Sequence, residues 1–439
     1  MSDTIFALST AMGRAGVAII RVSGPDAAKS LTQFGVKSPL PARVATRAKL
    51  LHPDTQELID DALVLSFPAP HSFTGEDCVE FHVHGSLAVI QTVLDQLSHI
   101  PHFRPALAGE FTRRALMNGK MDLAQVEGLA DLIDAETEQQ RRQALHFMEG
   151  KTSAFYENLR TRIIQNLAHL EAYIDFPDED LPPGVYDSMR KHVSDLAAQI
   201  QDRIQNDTHG ERIRDGFYIA IVGAPNVGKS SLLNALAGRD IAIVSHHAGT
   251  TRDVLEAHLN IGGYSVIIAD TAGIREQADE VEREGIRRSF ERAGKADLTL
   301  VMLDATQAIP PDIAALIQKH ALVVINKCDV EGSHNIFLEH HPVRISVKSG
   351  QGMDVLISRL GELLGSLIPS HEPSVISRVR HRQALTHALS HLQQFEKEKE
   401  IELQCEELRR AAQEIGKVTG KIDIESVLDE IFRSFCIGK

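Results

Sequence analysis

The feature that most constrains this chain is the segment GAPNVGKS at residues 223–230. It follows an apolar run at residues 217–222 and precedes apolar residues at helical spacing at 232–236. A glycine-rich turn between a strand and a helix can curl its backbone so that successive N–H groups point at a phosphate. The segment therefore predicts a phosphate-binding loop in an α/β domain, although a tight turn without a ligand would have the same pattern.

Two side chains of this loop have predictable chemistry. Lys229 would reach the β- and γ-phosphates of a nucleotide and stabilise the charge of phosphoryl transfer, which makes it a candidate catalytic residue. The hydroxyl of Ser230 would bind Mg²⁺. The nucleotide contacts predicted from this segment and the residue after it are Asn226, Val227, Gly228, Lys229, Ser230 and Ser231.

Two further polar segments indicate a triphosphate. The segment DTAG at residues 270–273 follows a second apolar run, so its Asp can hold Mg²⁺ through water and its Gly can offer an N–H to a γ-phosphate. The polar loop GTTRD at residues 249–253 lies between these two motifs, and its Thr251 can bind Mg²⁺. The predicted contacts here are Thr250, Thr251, Asp270, Thr271, Ala272 and Gly273.

Two later segments predict which base is bound. NKCD at residues 326–329 follows an apolar run, and the Asp329 carboxylate can accept hydrogen bonds from N1–H and N2–H₂ of guanine. Adenine lacks both donors and would leave a buried carboxylate unpaired, which is costly. SVKSG at residues 346–350 adds a backbone N–H. We therefore predict GTP, with base contacts from Asn326, Lys327, Asp329, Ser346, Val347 and Lys348.

Length and composition limit the remaining possibilities. A chain of 439 residues is too long for one compact core, so two or three domains are expected. The sequence has no apolar run of membrane-spanning length, no signal-peptide pattern and four scattered cysteines, which predicts a reduced cytoplasmic protein away from membranes. A net charge of −14 argues against extensive nucleic-acid binding by the whole surface, so a local basic patch or a partner would have to hold any RNA.

The pattern outside the nucleotide motifs predicts the other domains. Strand-like runs at 16–22, 61–67 and 78–83, with a helical segment at 87–97, indicate an α+β domain over residues 1–118. Helical spacing then fills most of 119–215 and returns over 371–439, on either side of an α/β domain at 216–370. We expect the two helical parts to form one discontinuous domain with the α/β domain inserted; two separate helical units are the alternative.

Two basic runs lie in the helical parts, at residues 141–142 and 378–382. Such runs are typical of solvated helix faces, which is the interpretation favoured here. Contact with RNA is the alternative.

The order of these motifs resembles that in the translation-factor-like branch of the P-loop GTPases. Together with SFTGED at residues 72–77 and the terminal CIGK at 436–439, essentially the whole chain resembles the MnmE (TrmE) family of tRNA modification GTPases. Two positions depart from the usual family pattern: Val347, where most members carry Ala, and Ser86, where many carry Gly. The resemblance implies a multidomain protein with a folate-binding-like N-terminal domain, a discontinuous α-helical domain and an inserted α/β P-loop GTPase domain.

The resemblance also implies specific functional residues. The first domain would bind 5-formyltetrahydrofolate or a related folate, whose glutamate tail attracts cations and whose pterin donors suit a carboxylate. By motif match, the folate contacts are Arg21, Glu80, Lys120 and Lys439. Cys436 could add to the one-carbon unit or to a uracil ring, or could simply be a buried cysteine.

The hydrolysis machinery differs from that of Ras-like proteins. Ile274 stands where those proteins have a water-orienting glutamine, so another residue is needed. In the resembled family a glutamate of switch II orients the water, and the matching residue here is Glu282. The alternative interpretation of Glu282 is a solvated carboxylate without a catalytic role. The asparagine at position 226 of the phosphate loop resembles the one found in GTPases that use K⁺ in place of an arginine finger. The implied K⁺ ligands are Asn226, Ser245, His247 and Thr250, and Ser245 is also a nucleotide contact.

The resemblance further implies a homodimer activated by K⁺-dependent contact of its GTPase domains, with a flavoprotein partner of the MnmG (GidA) type. The product would be a 5-aminomethyl-type, carboxymethylaminomethyl, group on the wobble uridine of certain tRNAs. A ribosome-assembly GTPase of the Era type is the alternative, but it needs an RNA-binding domain where this chain has acidic helices such as residues 395–398. A stand-alone folate aminomethyltransferase would leave the GTP site unused.

Overall fold

A computed structural model describes residues 3–175, 184–239, 241–243, 256–270, 296–314, 321–330, 342–368, 373–421 and 438. The chain divides into two compact units. The first comprises Met1–Ala130, Tyr156–Ile164 and Ala412–Lys439, and the second comprises Asp131–Phe155 and Gln165–Ala411.

The first unit contains a six-stranded sheet whose order is β3-β4-β5-β2-β1-β6. Its pairs are antiparallel except for β1 and β6, which run parallel. The three strands predicted from the sequence lie within β2, β4 and β5, and this part of the prediction is confirmed. The strand bounds are β1 Thr4–Leu8, β2 Ala15–Ser23, β3 Thr46–Leu51, β4 Leu58–Phe67, β5 Cys78–Gly85 and β6 Phe103–Pro105.

Four helices accompany this sheet in the sequence. They are α1 Lys29–Gln33, α2 Leu87–Ser98, α3 Glu110–Met117 and α4 Leu123–Ile133. Helix α2 matches the predicted helical segment, and it buries Ile90, Val93 and Leu97 in one apolar core with Ile20 and Phe81 of the sheet. Because side chains of a strand alternate between its two faces, the apolar half of β2 and β5 faces this core and the polar half faces away.

The next stretch of the chain is helical. The helices are α5 Glu138–Met148, α6 Lys151–Asp175, α7 Val185–Asn206 and α8 His209–Asp215. Helix α5 begins with a capping box, in which the Thr137 hydroxyl accepts from the Gln140 backbone N–H and the Gln140 side chain reaches back. Helix α6 buries an apolar stripe at helical spacing, since Tyr156, Leu159 and Ile163 are fully buried.

A second six-stranded sheet follows, with the order β12-β11-β10-β7-β9-β8. All its pairs are parallel except β8–β9. Apolar residues cover both faces, with Ile219 and Leu300 in one core and Val222 and Val301 in the other, as expected for strands covered on both sides. The elements are β7 Phe217–Val222, α9 Lys229–Ala237, β8 Glu256–Ile261, β9 Tyr264–Asp270, β10 Leu298–Asp304, α10 Pro311–Ala314, β11 Ala321–Asn326, β12 Val343–Arg344 and α11 Met353–Ser366.

Two long helices complete the described chain, α12 Val379–Lys397 and α13 Ile401–Thr419. Helix α12 packs against α7, although the second sheet lies between them in the sequence. Helix α12 also buries an apolar stripe at helical spacing, formed by Leu385, Ala388 and Leu392.

The basic run at residues 378–382 is not a solvated helix face, so that prediction is wrong. Arg378 forms an ion pair of 2.6 Å with Asp131, and Arg382 forms one of 2.9 Å with Glu211. His381 is fully buried with its ring stacked on Phe147. These basic side chains connect helices within the second unit.

The other basic run behaves differently. Arg141 and Arg142 are exposed, and both guanidinium groups contact the same carboxylate, that of Glu138. This is the solvated helix face that the sequence predicted.

Three general features concern the described part of the chain. None of its helices is long and apolar enough to cross a membrane. Its cysteines Cys78, Cys328 and Cys405 are free thiols. Within the same residues, no group of three His, Cys, Asp or Glu side chains could hold a metal ion.

Candidate functional site

The phosphate-binding loop lies between β7 and α9, as the sequence predicted. Gly228 is the N-cap of α9 with φ 103° and ψ 25°, a left-handed conformation that suits glycine. A Cβ on Gly228 would lie 2.6 Å from Nδ2 of Asn326, and one on Gly223 would lie 2.4 Å from the Met302 carbonyl oxygen. Both glycines are therefore required for the backbone to run this close to its neighbours.

Lys229 is the first residue of α9, and it is only 8% exposed. Its Nζ donates to the carbonyl oxygens of Gly223 at 2.9 Å and Ala224 at 3.0 Å, within its own loop. These contacts place the ammonium group inside the curl of the backbone. Phosphate oxygens of a nucleotide in the loop would be competing acceptors for the same three donors.

Asn326, at the end of β11, connects three of the predicted motifs. Its side-chain amide donates to the Val227 carbonyl at 2.9 Å, and its side-chain oxygen accepts from the Val347 backbone N–H at 3.1 Å. Asn326 is only 4% exposed, and its bond to Val227 is buried while the one from Val347 is partly buried. The side chain therefore holds the phosphate loop, the NKCD segment and the SVK segment together. Val347 contributes through its backbone, which explains how it can replace the usual Ala.

Asp329 lies in the loop that follows β11, and its side chain is exposed. The hydrogen bond from the Ser346 hydroxyl, assisted by a backbone hydrogen bond and by the charge of Lys348, lowers the pKa of Asp329 below its usual value. The group is thus a carboxylate at neutral pH, held by a residue of the SVK segment. It is open to donors from outside the protein.

Asp270 is the last residue of β9, where its backbone is in register with Ile221 of β7. Since β7 and β9 are parallel neighbours, their carboxyl ends lie at the same edge of the sheet, which is where ligands of open α/β sheets bind. Along this edge the chain brings together the end of β9 and the segments after β7 and β11.

The sequence interpretation did not include Asp304, the last residue of β10. Its Oδ2 lies 2.7 Å from Nζ of Lys327, and its Oδ1 accepts from the backbone N–H and the hydroxyl of Thr306. The sequence feature that could have indicated Asp304 is its position directly after an apolar run, which it shares with Asp270.

The first unit brings together two of the predicted folate contacts. Arg21 of β2 and Glu80 of β5 are directly opposite in the antiparallel register, and Nε of Arg21 donates to Oε1 of Glu80 at 2.9 Å. The guanidinium group of Arg21 also lies 5.2 Å from the ring centroid of Phe73 and 5.7 Å from that of Phe111. Cation–π contact at these distances orients a guanidinium.

Lys120 has a different place in the same unit. Its Nζ donates to the Pro70 carbonyl at 3.0 Å, and its stem lies 3.2 Å from the position that a Cβ of Gly75 would take. Sequence reasoning missed His82, whose Nε2 lies 3.2 Å from Oε2 of Glu80. The sequence feature that could have indicated His82 is its distance of two residues from Glu80 on β5, which puts both side chains on one face of the sheet.

Comparison with known proteins gives the family. Residues 123–436 match the family model described as the MnmE helical domain, and residues 4–120 match the one described as the GTP-binding protein TrmE N-terminus. The chain belongs to the MnmE family. Its relatives include proteins of Parvibaculum lavamentivorans and Paramagnetospirillum magneticum, 47% identical over 441 residues and 46% over 443, with all of each chain covered. Both are named tRNA modification GTPase MnmE.

Among solved structures, a variant of Era from Aquifex aeolicus bound to GDP and AlF4⁻ is 29% identical over 42% of this chain and 68% of its own. Its TM-score of 0.27 is too low to favour an Era-type interpretation over the MnmE family.

Several residues predicted by the MnmE resemblance fall outside the described part of the chain, and their roles stay predictions. Of the described nucleotide contacts, Asn226, Ser230 and Ser231 are exposed on the loop and the first turn of α9. The predicted residues outside the description are Ser245, His247, Thr250, Thr251, Thr271, Ala272, Gly273, Glu282, Cys436 and Lys439.

Proposed function

We propose that this protein is a GTP-hydrolysing tRNA modification enzyme that acts with a flavoprotein of the MnmG (GidA) type. The product is a carboxymethylaminomethyl-type group on the wobble uridine of certain tRNAs. Membership of the MnmE family supports the tRNA substrate. The observation that carries the guanine-nucleotide part is the double hydrogen bond of Asn326, which joins the phosphate loop to the segment that holds Asp329.

In the proposed nucleotide site, Asp329 accepts from the guanine base, and the backbone of residues 223–229 surrounds the phosphates. Lys229 exchanges its two carbonyl acceptors for phosphate oxygens and stabilises the charge of the leaving group. The hydroxyl of Ser230, an exposed residue, together with Thr251, would hold Mg²⁺, which supplies further charge neutralisation. Glu282 orients the attacking water.

The proposed folate site uses the pair of Arg21 and Glu80. Their contact with each other, with His82 and with two phenyl rings fixes a cation and a carboxylate side by side. Such a pair suits a ligand that has both N–H donors and carboxylates. Further folate contacts in this proposal are Lys120 and Lys439. The candidate nucleophile is Cys436.

We also propose the wider organisation implied by the family: a cytoplasmic homodimer, with domains at 1–118, 119–215, 216–370 and 371–439. The second and fourth of these would form one helical domain with the GTPase domain inserted. The packing of α7 on α12 supports this, because these helices come from the two sides of the inserted segment.

Nucleoside analysis of tRNA tests the proposed function. Cells lacking the protein should lose the wobble uridine modification, and the wild-type gene should restore it. A variant with Arg21→Gln, which keeps a polar side chain but removes the charge that pairs with Glu80, should fail to restore it while retaining GTPase activity. Intact modification accompanied by defective ribosome assembly would instead support the Era-type alternative.

GTP hydrolysis should depend on K⁺. Asn226 has a left-handed φ of 61°, which Asn tolerates well, and its exposed side chain carries an amide oxygen that can coordinate a monovalent ion. Because a cation at this position replaces an arginine finger, we expect the turnover rate in KCl to exceed that in NaCl by at least ~10-fold. The measurement is phosphate release at matched ionic strength, with choline chloride as the control. Equal rates in K⁺ and Na⁺ would refute the proposal, and Asn226→Ala should remove the difference.

A further inference from the structure

A buried acidic residue lies beside the segment proposed to bind guanine. Asp304 is 4% exposed at the end of β10, and its backbone is in register with Asn326 of the neighbouring strand. Its carboxylate lies 2.7 Å from Nζ of Lys327, whose side chain is 36% exposed. The charged end of Lys327 is therefore attached to the sheet, while about a third of the side chain remains exposed to solvent.

The backbone of Lys327 is unusual, with φ 62°. This left-handed conformation is unfavourable for a residue with a side chain, so other contacts must maintain it. The ion pair with Asp304 is one such contact, and Asn326 beside it makes two further bonds. The direction of the Lys327 side chain is thus fixed by a partner 23 positions earlier in the chain.

The charge of Lys327 matters for ligand binding because the Asp329 carboxylate is close to it in the chain. Asp329 is exposed only two residues after Lys327, and it already has the Ser346 hydroxyl and the charge of Lys348 nearby. A lysine has a flexible stem and three donors, so a Lys327 without a partner would be attracted to the Asp329 carboxylate. Such a contact would occupy acceptor positions that guanine N1–H and N2–H₂ need.

We propose that Asp304 is a positioning residue for base recognition. It holds Lys327 so that the lysine stem forms one wall of the base site and the ammonium group stays away from Asp329. This inference rests on the proposed guanine-nucleotide function and extends it to a residue outside the recognised motifs.

The ionisation of Asp304 agrees with this role. Burial by itself raises the pKa of the Asp304 carboxyl, but the hydrogen bonds from Lys327 and Thr306 and the charge of Lys327 lower it below the usual value overall. The carboxylate is therefore charged at neutral pH and retains its hold on the ammonium group.

The test is Asp304→Asn, which preserves the shape and the oxygen that accepts from Thr306 but removes the charge. We expect the Kd for GDP to rise about 10-fold, which is about 1.4 kcal/mol, while weak binding of ADP stays the same. Thr306→Val is the matched control, because it removes a hydrogen bond to the same carboxylate and leaves the ion pair intact; its Kd for GDP should change less than about 2-fold.

A second background separates positioning from general stability. In Lys327→Gln, the amide can still donate to Asp304 but no ammonium group needs positioning. Adding Asp304→Asn to this variant should change the Kd for GDP less than about 2-fold. An unchanged Kd in the single variant, or an equal loss in both backgrounds, would overturn the inference. If the wild-type protein does not prefer GDP to ADP, the guanine proposal itself fails, which is a separate outcome.

Discussion

Asp329→Asn should change the base preference of this protein from guanine to xanthine. The carboxylate accepts hydrogen bonds from guanine donors, whereas an Asn amide places its own donor against them. Xanthine has a C2 carbonyl in place of the amino group, so it offers an acceptor to that donor. We expect the affinity for GDP to fall at least ~100-fold, with XDP bound more tightly than GDP. Titration of the pure protein with GDP, XDP and ADP measures both effects.

The matched control is Asp354→Asn, the same chemical change on an exposed residue of α11 whose partner is Arg239. It should leave the affinity for all three nucleotides unchanged. If Asp329→Asn binds GDP as the wild type does, this carboxylate does not contact the base and the guanine assignment fails.

Gly228→Ala should abolish tight nucleotide binding. At φ 103° an alanine is strained by about 1–2 kcal/mol, and its Cβ would lie 2.6 Å from Nδ2 of Asn326. Relief of that overlap displaces the amide that donates to the Val227 carbonyl, and the loss of a buried hydrogen bond costs about 1–3 kcal/mol. Together these give about 3 kcal/mol, so we expect at least a ~100-fold loss of GDP affinity and a lower Tm.

Gly238→Ala is the control for that experiment. Gly238 is the C-cap of the same helix, with φ −82°, and among the described residues a Cβ there would meet only the Asn234 carbonyl oxygen, at 3.3 Å. Affinity within about 2-fold of wild type is expected. Wild-type affinity in Gly228→Ala would show that the phosphate loop does not use this conformation.

The two variants act on different steps of recognition. Asp329→Asn exchanges one acceptor for a donor on an exposed loop and should leave phosphate binding intact, so that XDP rescues the loss. Gly228→Ala changes the backbone that surrounds the phosphates, so no change of base should rescue it. The pattern of rescue therefore separates base recognition from phosphate recognition.

Features carried by contiguous residues could be predicted from the sequence. The apolar run at 217–222, the glycine-rich turn and the helical spacing after it define β7, the loop and α9 without any distant contact. The alternation of β2 and β5 likewise follows from their own residues. Local backbone preferences and hydrophobic periodicity suffice for such elements.

Features that join distant residues could not be predicted in the same way. The contact of Asn326 with Val227 spans 99 positions, and that of Arg378 with Asp131 spans 247. The second contact made the solvated-face prediction wrong, because helical spacing does not say which charged residue a neighbouring helix presents. Asp304 was missed for the same reason, because its role depends on Lys327, which lies in the loop after β11.

The sequence by itself determined which chemical groups this protein has for a nucleotide, because each nucleotide motif is a short run whose residue types suit one kind of ligand. Tertiary structure alone decided how those groups are held. Parallel strands bring their carboxyl ends to one edge, and the order β11-β10-β7-β9 places Asn326 against the phosphate loop and Asp304 against Lys327. The order of strands depends on packing across the whole sheet, which no local pattern specifies.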